Sequence, residues 1–259
     1  MFKWTGSKKW LRHHLKDMDE LLELFAGSAW ISFSRAQTCY LNDTCVPLIR
    51  VYESLKNDKP KFLHEVRKNF SQIQSASDPR AKYYELRNQF NVRRDDPVLF
   101  CVLLHSCFNG LWRTSRNGFN VPYGGDRKLN LETLESIPVE KIASLTCNPW
   151  EEVIIPNDDC IVYADPPYAG THTIYTSTSW HYGHNEKLLE KLSGLPNPVL
   201  VTLMGSEENY KLLKKFDLKY AEKSRTFRNG PSKGKQVKEL LCFNDAAYPF
   251  LDRVKYILG

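Results

Sequence analysis

One stretch constrains the chain more than any other: the apolar run Cys160-Ile161-Val162-Tyr163-Ala164, followed at once by Asp165-Pro166-Pro167-Tyr168. A short β-rich run that ends in a carboxylate, two prolines and an aromatic reads as a buried strand delivering a rigid loop. The prolines fix φ and remove two backbone donors, so the turn offers carbonyl acceptors and little donation. With an acidic acceptor and a flat ring beside them, the loop suits an exocyclic amine on a planar ring. The carboxylate and a carbonyl would accept its N–H groups while Tyr168 stacks on the ring. An aromatic amine is a poor nucleophile because its lone pair is delocalised. Acceptors on its hydrogens favour a tetrahedral nitrogen and stabilise the positive charge that grows as it attacks an electrophile. The plainer alternative is an ordinary loop after a strand, with Tyr168 as core.

The chain has 259 residues, enough for one large domain or one domain carrying an insertion. A formal charge of +6 mildly favours a polyanionic partner. The seven cysteines form no C-x-x-C pair and mostly lie in apolar runs, so we expect reduced core thiols in a cytoplasmic protein and no metal site. No signal-peptide core is visible, and no run approaches the ~20 apolar residues of a membrane span.

Leu21 to Phe25 is the first convincing strand, and Ala26-Gly27-Ser28-Ala29 follows as a small-residue turn into an apolar helix start. This is the cofactor-binding edge of a doubly wound sheet, although a single glycine makes the signal weak alone. A second strand, Cys39 to Leu41, ends in Asn42-Asp43. Asp43 is placed either to accept from ribose hydroxyls or to cap a helix beginning near Val46-Pro47.

Helical stripes follow: Phe62, Leu63, Val66, Phe70 and Ile73, then Tyr83, Leu86 and Phe90, then an apolar helix from Val98 to Cys107 behind Asp96-Pro97. We expect an inserted helical unit. It ends in Phe108 to Gly124, where Asn-Gly turns flank a hairpin carrying aromatics, Arg113, Arg116 and amides. Arginine pairs bidentately with guanine in a major groove, and an aromatic or amide can wedge into a base stack.

Beyond Asp165, the loop Ala169 to Tyr175 is small and polar enough to close over a base, and His172, His181 and His184 read as solvated. We expect a helix at Glu186 to Leu192, a strand at Pro198 to Met204, and a last strand at Glu239 to Phe243. Arg225, Arg228, Lys233, Lys235 and Lys238 gather around Asn229-Gly230-Pro231 as a basic turn that suits phosphate contact. Residues 245–259 yield no interpretation.

In order and spacing, these motifs resemble the Dam family of adenine-N6 DNA methyltransferases, the group that modifies GATC. The resemblance runs from Lys3 to about Phe243, more loosely across the helices. It is carried by Lys3-Trp4-Thr5-Gly6-Ser7-Lys8, by Glu23-Leu24-Phe25-Ala26-Gly27-Ser28, and by Asn42-Asp43. Phe108 to Arg113 with Phe119 to Gly124, Asp165 to Tyr168, and Lys235 to Leu241 complete it. There are departures: Ser28-Ala29 replaces a second glycine, Gly6-Ser7 replaces a Gly-Gly pair, and Phe108 stands where some members carry tyrosine.

The resemblance implies an α/β fold, a Rossmann-like S-adenosylmethionine-dependent methyltransferase sheet. It implies a catalytic domain over residues 1–53 and 146–259, with a helical and hairpin target-recognition insertion over 54–145. Asp165, Pro166, Pro167 and Tyr168 would be catalytic. Trp4, Lys8, Phe25, Ala26, Gly27, Ser28, Asp43 and Asp165 would hold S-adenosyl-L-methionine. Lys3, Lys8, Phe108, Asn109, Leu111, Arg113, Arg116, Asn120 and Pro122 would contact double-stranded DNA. The expected reaction is methylation of N6 on a flipped adenine, with no metal, by a monomer or weak dimer on DNA. The rivals are cytosine N4 or RNA adenine as target, and a non-catalytic DNA-binding homologue. Serine at position 165 would have favoured the cytosine enzyme.

Overall fold

The computed structural model describes residues 4, 6–125, 129–169, 180–227 and 235–252. Its centre is a seven-stranded sheet in the order β5-β2-β1-β6-β7-β9-β8. The strands are β1 (Met18–Glu23), β2 (Ala36–Asn42), β5 (Ile142–Thr146), β6 (Ile161–Ala164), β7 (Val199–Met204), β8 (Lys219–Phe227) and β9 (Lys235–Phe243). A separate two-stranded ladder, β3 (Thr114–Ser115) with β4 (Gly118–Phe119), forms the expected hairpin.

Strands β5, β2, β1, β6 and β7 run parallel, and β9 enters antiparallel between β7 and β8. Parallel strands need crossovers, which here carry α1 (Trp30–Arg35) between β1 and β2 and, between β6 and β7, a helix at Tyr182–Ser193. Strand β6 is buried at all four positions, as a strand with both faces covered must be. Two apolar clusters flank the sheet. One contains Leu21, Leu41 and Tyr163 and the other Leu22, Val162, Leu189 and Val201, so alternate residues of each strand supply opposite faces.

The first cluster continues into the helices α2 (Val46–Gln74), α3 (Pro79–Arg93) and α4 (Pro97–Ser106). Asp78 and Asp96 cap α3 and α4 by accepting from backbone N–H groups, each ahead of a proline in the first turn. Helix α2 breaks at Asp58 (φ −155°), just ahead of Pro60, and the Asp58 side chain caps the second half through Lys61 N. The expected boundary at residue 54 thus falls inside α2, shortly before this break. At its other end, the sheet takes up the chain again at Ile142, where β5 pairs with β2, rather than at 146. The remaining helices are α5 (Glu132–Glu135), α6 (Tyr182–Ser193) and α7 (Glu207–Lys215).

Among the described residues, no helix is long and apolar enough to cross a membrane, and no group of His, Cys, Asp or Glu could hold a metal ion. All seven cysteines are free thiols.

Candidate active site

From β1 the chain crosses to β2 on one side, whereas from β6 it crosses to β7 on the other. The carboxyl ends of β1 and β6 therefore flank a topological switch point, where an open α/β sheet leaves a crevice. A cavity of ≈ 480 Å³ lies there, lined by Trp4, Lys8, Phe25 to Ser28, Asp43 and Asp165 to Tyr168. The loops expected to hold a cofactor and to do chemistry thus converge on one space.

Asp165 leaves the end of β6 with both carboxylate oxygens engaged. Oδ1 accepts from Thr202 Oγ1 of β7 at 2.6 Å, and Oδ2 accepts from Lys8 Nζ at 2.7 Å. Since the Thr202 hydroxyl donates to Asp165, Tyr163 donates to it in turn, at 3.2 Å. Burial pushes the Asp165 carboxyl above its usual range, and Lys8 and Thr202 offset only part of that. Lys8 is itself buried and also donates to Gly6 O at 2.7 Å. Its ammonium lies 3.4 Å from Glu239 Oε1 and 5.1 Å from the centre of the Tyr168 ring, whose hydroxyl donates to that same Glu239 oxygen. Tyr168 therefore lines the cavity as a tethered ring.

In the same cavity lining, Gly27 adopts φ +48°, and a Cβ there would lie 2.7 Å from the Trp4 indole nitrogen. Ala29 adopts φ +48° as well, at the place of the missing second glycine. The left-handed backbone is thus retained without the residue that adopts it freely, at a cost of roughly 1–2 kcal/mol. Asp43 ties the turn to the next element: Oδ2 accepts from Gly27 N at 2.9 Å and Oδ1 from Cys45 N, at the start of α2, also at 2.9 Å. Its helix-start contact is therefore present, and the same carboxylate faces the cavity. Tyr52 of α2 donates to Gly27 O at 2.7 Å.

Beneath the turn sits Glu23, a carboxylate buried in the last position of β1, which accepts from Ser32 N of α1 at 2.8 Å. Burial pushes its carboxyl from 4.5 up to about 8, with Asp165 and Asp43 adding repulsion. The folded chain therefore keeps a proton that the unfolded chain releases above pH 4.5, and stability falls as pH rises from there to about 8. The ceiling on that loss is about 5 kcal/mol. Glu23→Gln, which keeps the acceptor, should flatten the fall in melting temperature of the cofactor-free protein across this window. An unchanged slope would mean that Glu23 is ionised in the folded state.

The hairpin segment abuts the same cavity through Trp112. Asn109 and Gly110 take φ +55° and +62°, the left-handed pair that Asn-Gly turns favour. Phe108 is 49% exposed, an apolar ring offered to solvent. Arg113 Nε donates to Asn120 Oδ1 at 2.6 Å, Arg116 and Pro122 are exposed, and Leu111 is partly buried. Trp112 points the other way: it stacks on Phe119 at 4.5 Å, packs on Phe100 and lines the cavity wall. Asn91 of α3 fixes the hairpin by exchanging two hydrogen bonds with the Phe119 backbone.

Lys3, most of the loop 169–175 with His172, and the basic turn 228–234 lie outside the described residues. His181 and His184 pack on each other at the start of α6, with His184 stacked on Trp180. The sequence reading gave no site role to Glu23, Thr202, Trp180 or Glu239. Glu23 carried one visible signal, an acidic residue inside the otherwise apolar run Leu21 to Phe25, whereas Glu239 follows Lys238 at the start of its apolar run and carried none.

The sheet and its crevice are those of a Rossmann-like methyltransferase. The chain belongs to the D12 class N6 adenine-specific DNA methyltransferases, whose family model matches residues 4–227. It is 29% identical to a DNA adenine methylase of Vibrio cholerae over 93% of this chain and 94% of the relative. It is 26% identical to the retron Ec67 DNA adenine methylase of Escherichia coli, over 95% and 91%. A type II methyltransferase of Methanocaldococcus jannaschii is 25% identical over 69% and 72%. The protein is accordingly an adenine-specific DNA methyltransferase.

Proposed function

We propose that the chain transfers a methyl group from S-adenosylmethionine to N6 of an adenine turned out of a DNA duplex, within the sequence GATC. One observation carries this: Asp165, the Tyr168 ring, the Gly27 turn and Asp43 all line the same cavity. The cavity suits that donor. Asp43 and Asp165 bring carboxylates to its lining for a cationic group, and the Gly27 turn packs so closely on the Trp4 indole that it admits no side chain. When bound, S-adenosylmethionine supplies a methyl group made electrophilic by the attached sulfonium.

The residues would then act as follows. Trp4, Phe25, Ala26, Gly27, Ser28 and Asp43 hold the cofactor. Asp165 and the Pro166 carbonyl accept the two N–H groups of the amine, and Pro167 keeps the loop rigid. Tyr168 stacks on the base. The nitrogen lone pair forms the new N–CH₃ bond as the S–CH₃ bond breaks, and the extra N6 proton is released afterwards. Most of the rate gain comes from holding the two reactants in line. The base must leave the stack for its amine to reach Asp165 and the donor methyl.

In the insertion, Phe108 and Asn109 would occupy the space left by the displaced adenine, with Leu111, Arg113 and Pro122 reading neighbouring bases. Lys3, Arg116 and Asn120 would meet the DNA as well, whereas Lys8, expected among them, is buried against Asp165 and Glu239. We read the protein as a monomer, or a weak dimer on DNA. The names of the V. cholerae and E. coli relatives support adenine as the target; the name of the M. jannaschii relative leaves a partnering restriction enzyme open.

The test uses labelled S-adenosylmethionine with two short duplexes, one containing GATC and one with those bases scrambled. Label entering only the first supports both chemistry and site; equal label in both overturns the GATC assignment. Arg113→Ala should relax discrimination at one base pair of the site, worth about 1–3 kcal/mol in relative kcat/KM. Equal weakening on every sequence would make Arg113 a phosphate contact instead.

A further inference from the structure

Glu239 sits where the antiparallel part of the sheet closes over the crevice. It lies on β9 opposite Met204 of β7 and Lys223 of β8, and it is 4% exposed. A carboxylate buried this deeply must be paired. Two of its partners come from the reaction loops: the Tyr168 hydroxyl donates to Oε1, and the Lys8 ammonium stands 3.4 Å from the same oxygen. One buried ammonium therefore lies between two carboxylates, closer to Asp165 at 2.7 Å than to Glu239.

That arrangement puts the Lys8 ammonium in competition with an incoming amine at Asp165, and Glu239 can relieve it. Asp165 is to receive an amine, yet Thr202 occupies one of its oxygens and Lys8 the other. Lys8 can yield its place without losing its charge partner only because a second carboxylate is already within reach. The tyrosine meets the other need. A phenol ring turns easily about its last torsion, and the bond from its hydroxyl to Glu239 fixes the plane on which a base would lie.

We propose that Glu239 is a positioning residue for methyl transfer: it anchors the Tyr168 ring through the hydroxyl and takes over the Lys8 ammonium when an amine occupies Asp165. This rests on the roles given to Asp165 and Tyr168 above. A carboxylate that merely neutralised a buried lysine would support the fold and the cofactor site, and would leave the chemical step untouched.

The experiment is single-turnover methylation of a GATC duplex at saturating cofactor by the wild-type chain, Glu239→Gln, Tyr168→Phe and the double variant. Affinity for S-adenosylhomocysteine and melting temperature are measured on each. Each single variant is expected to slow transfer by about 10–100-fold, since small misplacements of a reacting group cost that much. The double variant is expected to be no slower than the slower single within about threefold, because the two residues act as a unit, and affinity for S-adenosylhomocysteine stays within about threefold.

A wild-type rate in Glu239→Gln overturns the proposal, as do losses that multiply in the double variant or a slow rate matched by an equal loss of affinity and of melting temperature. If Glu239→Gln does not fold, Tyr168→Phe decides alone, since it deletes one oxygen and leaves Lys8 paired; a wild-type rate there refutes the anchor. Failure of the wild-type chain to methylate adenine in any duplex would remove the underlying reading, and the proposal with it. Wild-type transfer with an unaffected Glu239→Gln removes the proposal alone.

Discussion

Asp165→Ala should slow single-turnover methyl transfer by roughly 10³-fold or more while leaving the protein folded and able to bind duplex DNA. The size follows from what is lost. An acceptor fixed in a dry site stabilises charge that develops only in the transition state, so its removal falls on the chemical step and spares ground-state binding. The fold should tolerate the change because Lys8 keeps Glu239 at 3.4 Å and Gly6 O at 2.7 Å, so no buried charge is stranded. Thr202 loses its acceptor at Asp165 but retains Tyr163. Near-normal turnover would remove Asp165 from the chemistry. Equal losses in rate and in cofactor affinity would make it part of the binding site only.

Gly27→Ala should weaken S-adenosylmethionine binding by about 30–150-fold, equivalent to about 2–3 kcal/mol, with a smaller effect on turnover at saturating cofactor. Part of the cost is the left-handed backbone at φ +48°, which an L side chain resists. The rest comes from the new methyl meeting the Trp4 indole at 2.7 Å. The turn has little room to relax, for Gly27 N is held by Asp43, Gly27 O by Tyr52, and Ala26 N by Asn42 O. The neighbouring Ala29 shows that a methyl group can occupy φ +48° in this loop. The contact with Trp4 is therefore what sets Gly27 apart. Titration calorimetry with the cofactor measures the effect; an unchanged dissociation constant would place the cofactor away from this turn.

Much of this architecture is legible in local sequence. The β6 run and its Asp-Pro-Pro-Tyr loop declare themselves because burial on both faces leaves an uninterrupted apolar segment. The turn at Gly27 and the acid at Asp43 are readable because each closes a strand. Caps at Asp78 and Asp96 stand beside the prolines that follow them.

What escapes the sequence is set by distant pairing. Glu239 looks like one polar residue in a strand, and only the insertion of β9 between β7 and β8 carries it to Tyr168 and Lys8. Glu23 is hidden in the same way by α1 folding back over the end of β1. Strand β5 is not legible because Ile-Ala-Ser-Leu-Thr on a sheet edge lacks a continuous apolar run. In the hairpin, adjacency misleads: Trp112 and Arg113 are neighbours in sequence, yet extended backbone sends one into the core and the other to the surface. The chain after Asp245 gave no signal, although Asn244 caps its turn and Leu251 bridges to Leu15.

The central claim is that this cavity methylates the exocyclic nitrogen of adenine. The most direct measurement incubates the wild-type chain with methyl-labelled S-adenosylmethionine and duplex DNA, digests the DNA to nucleosides and identifies the labelled one. The account predicts that the label resides in N6-methyldeoxyadenosine and disappears with Asp165→Ala. Label recovered in N4-methyldeoxycytidine, or label in adenine that survives Asp165→Ala, would contradict it.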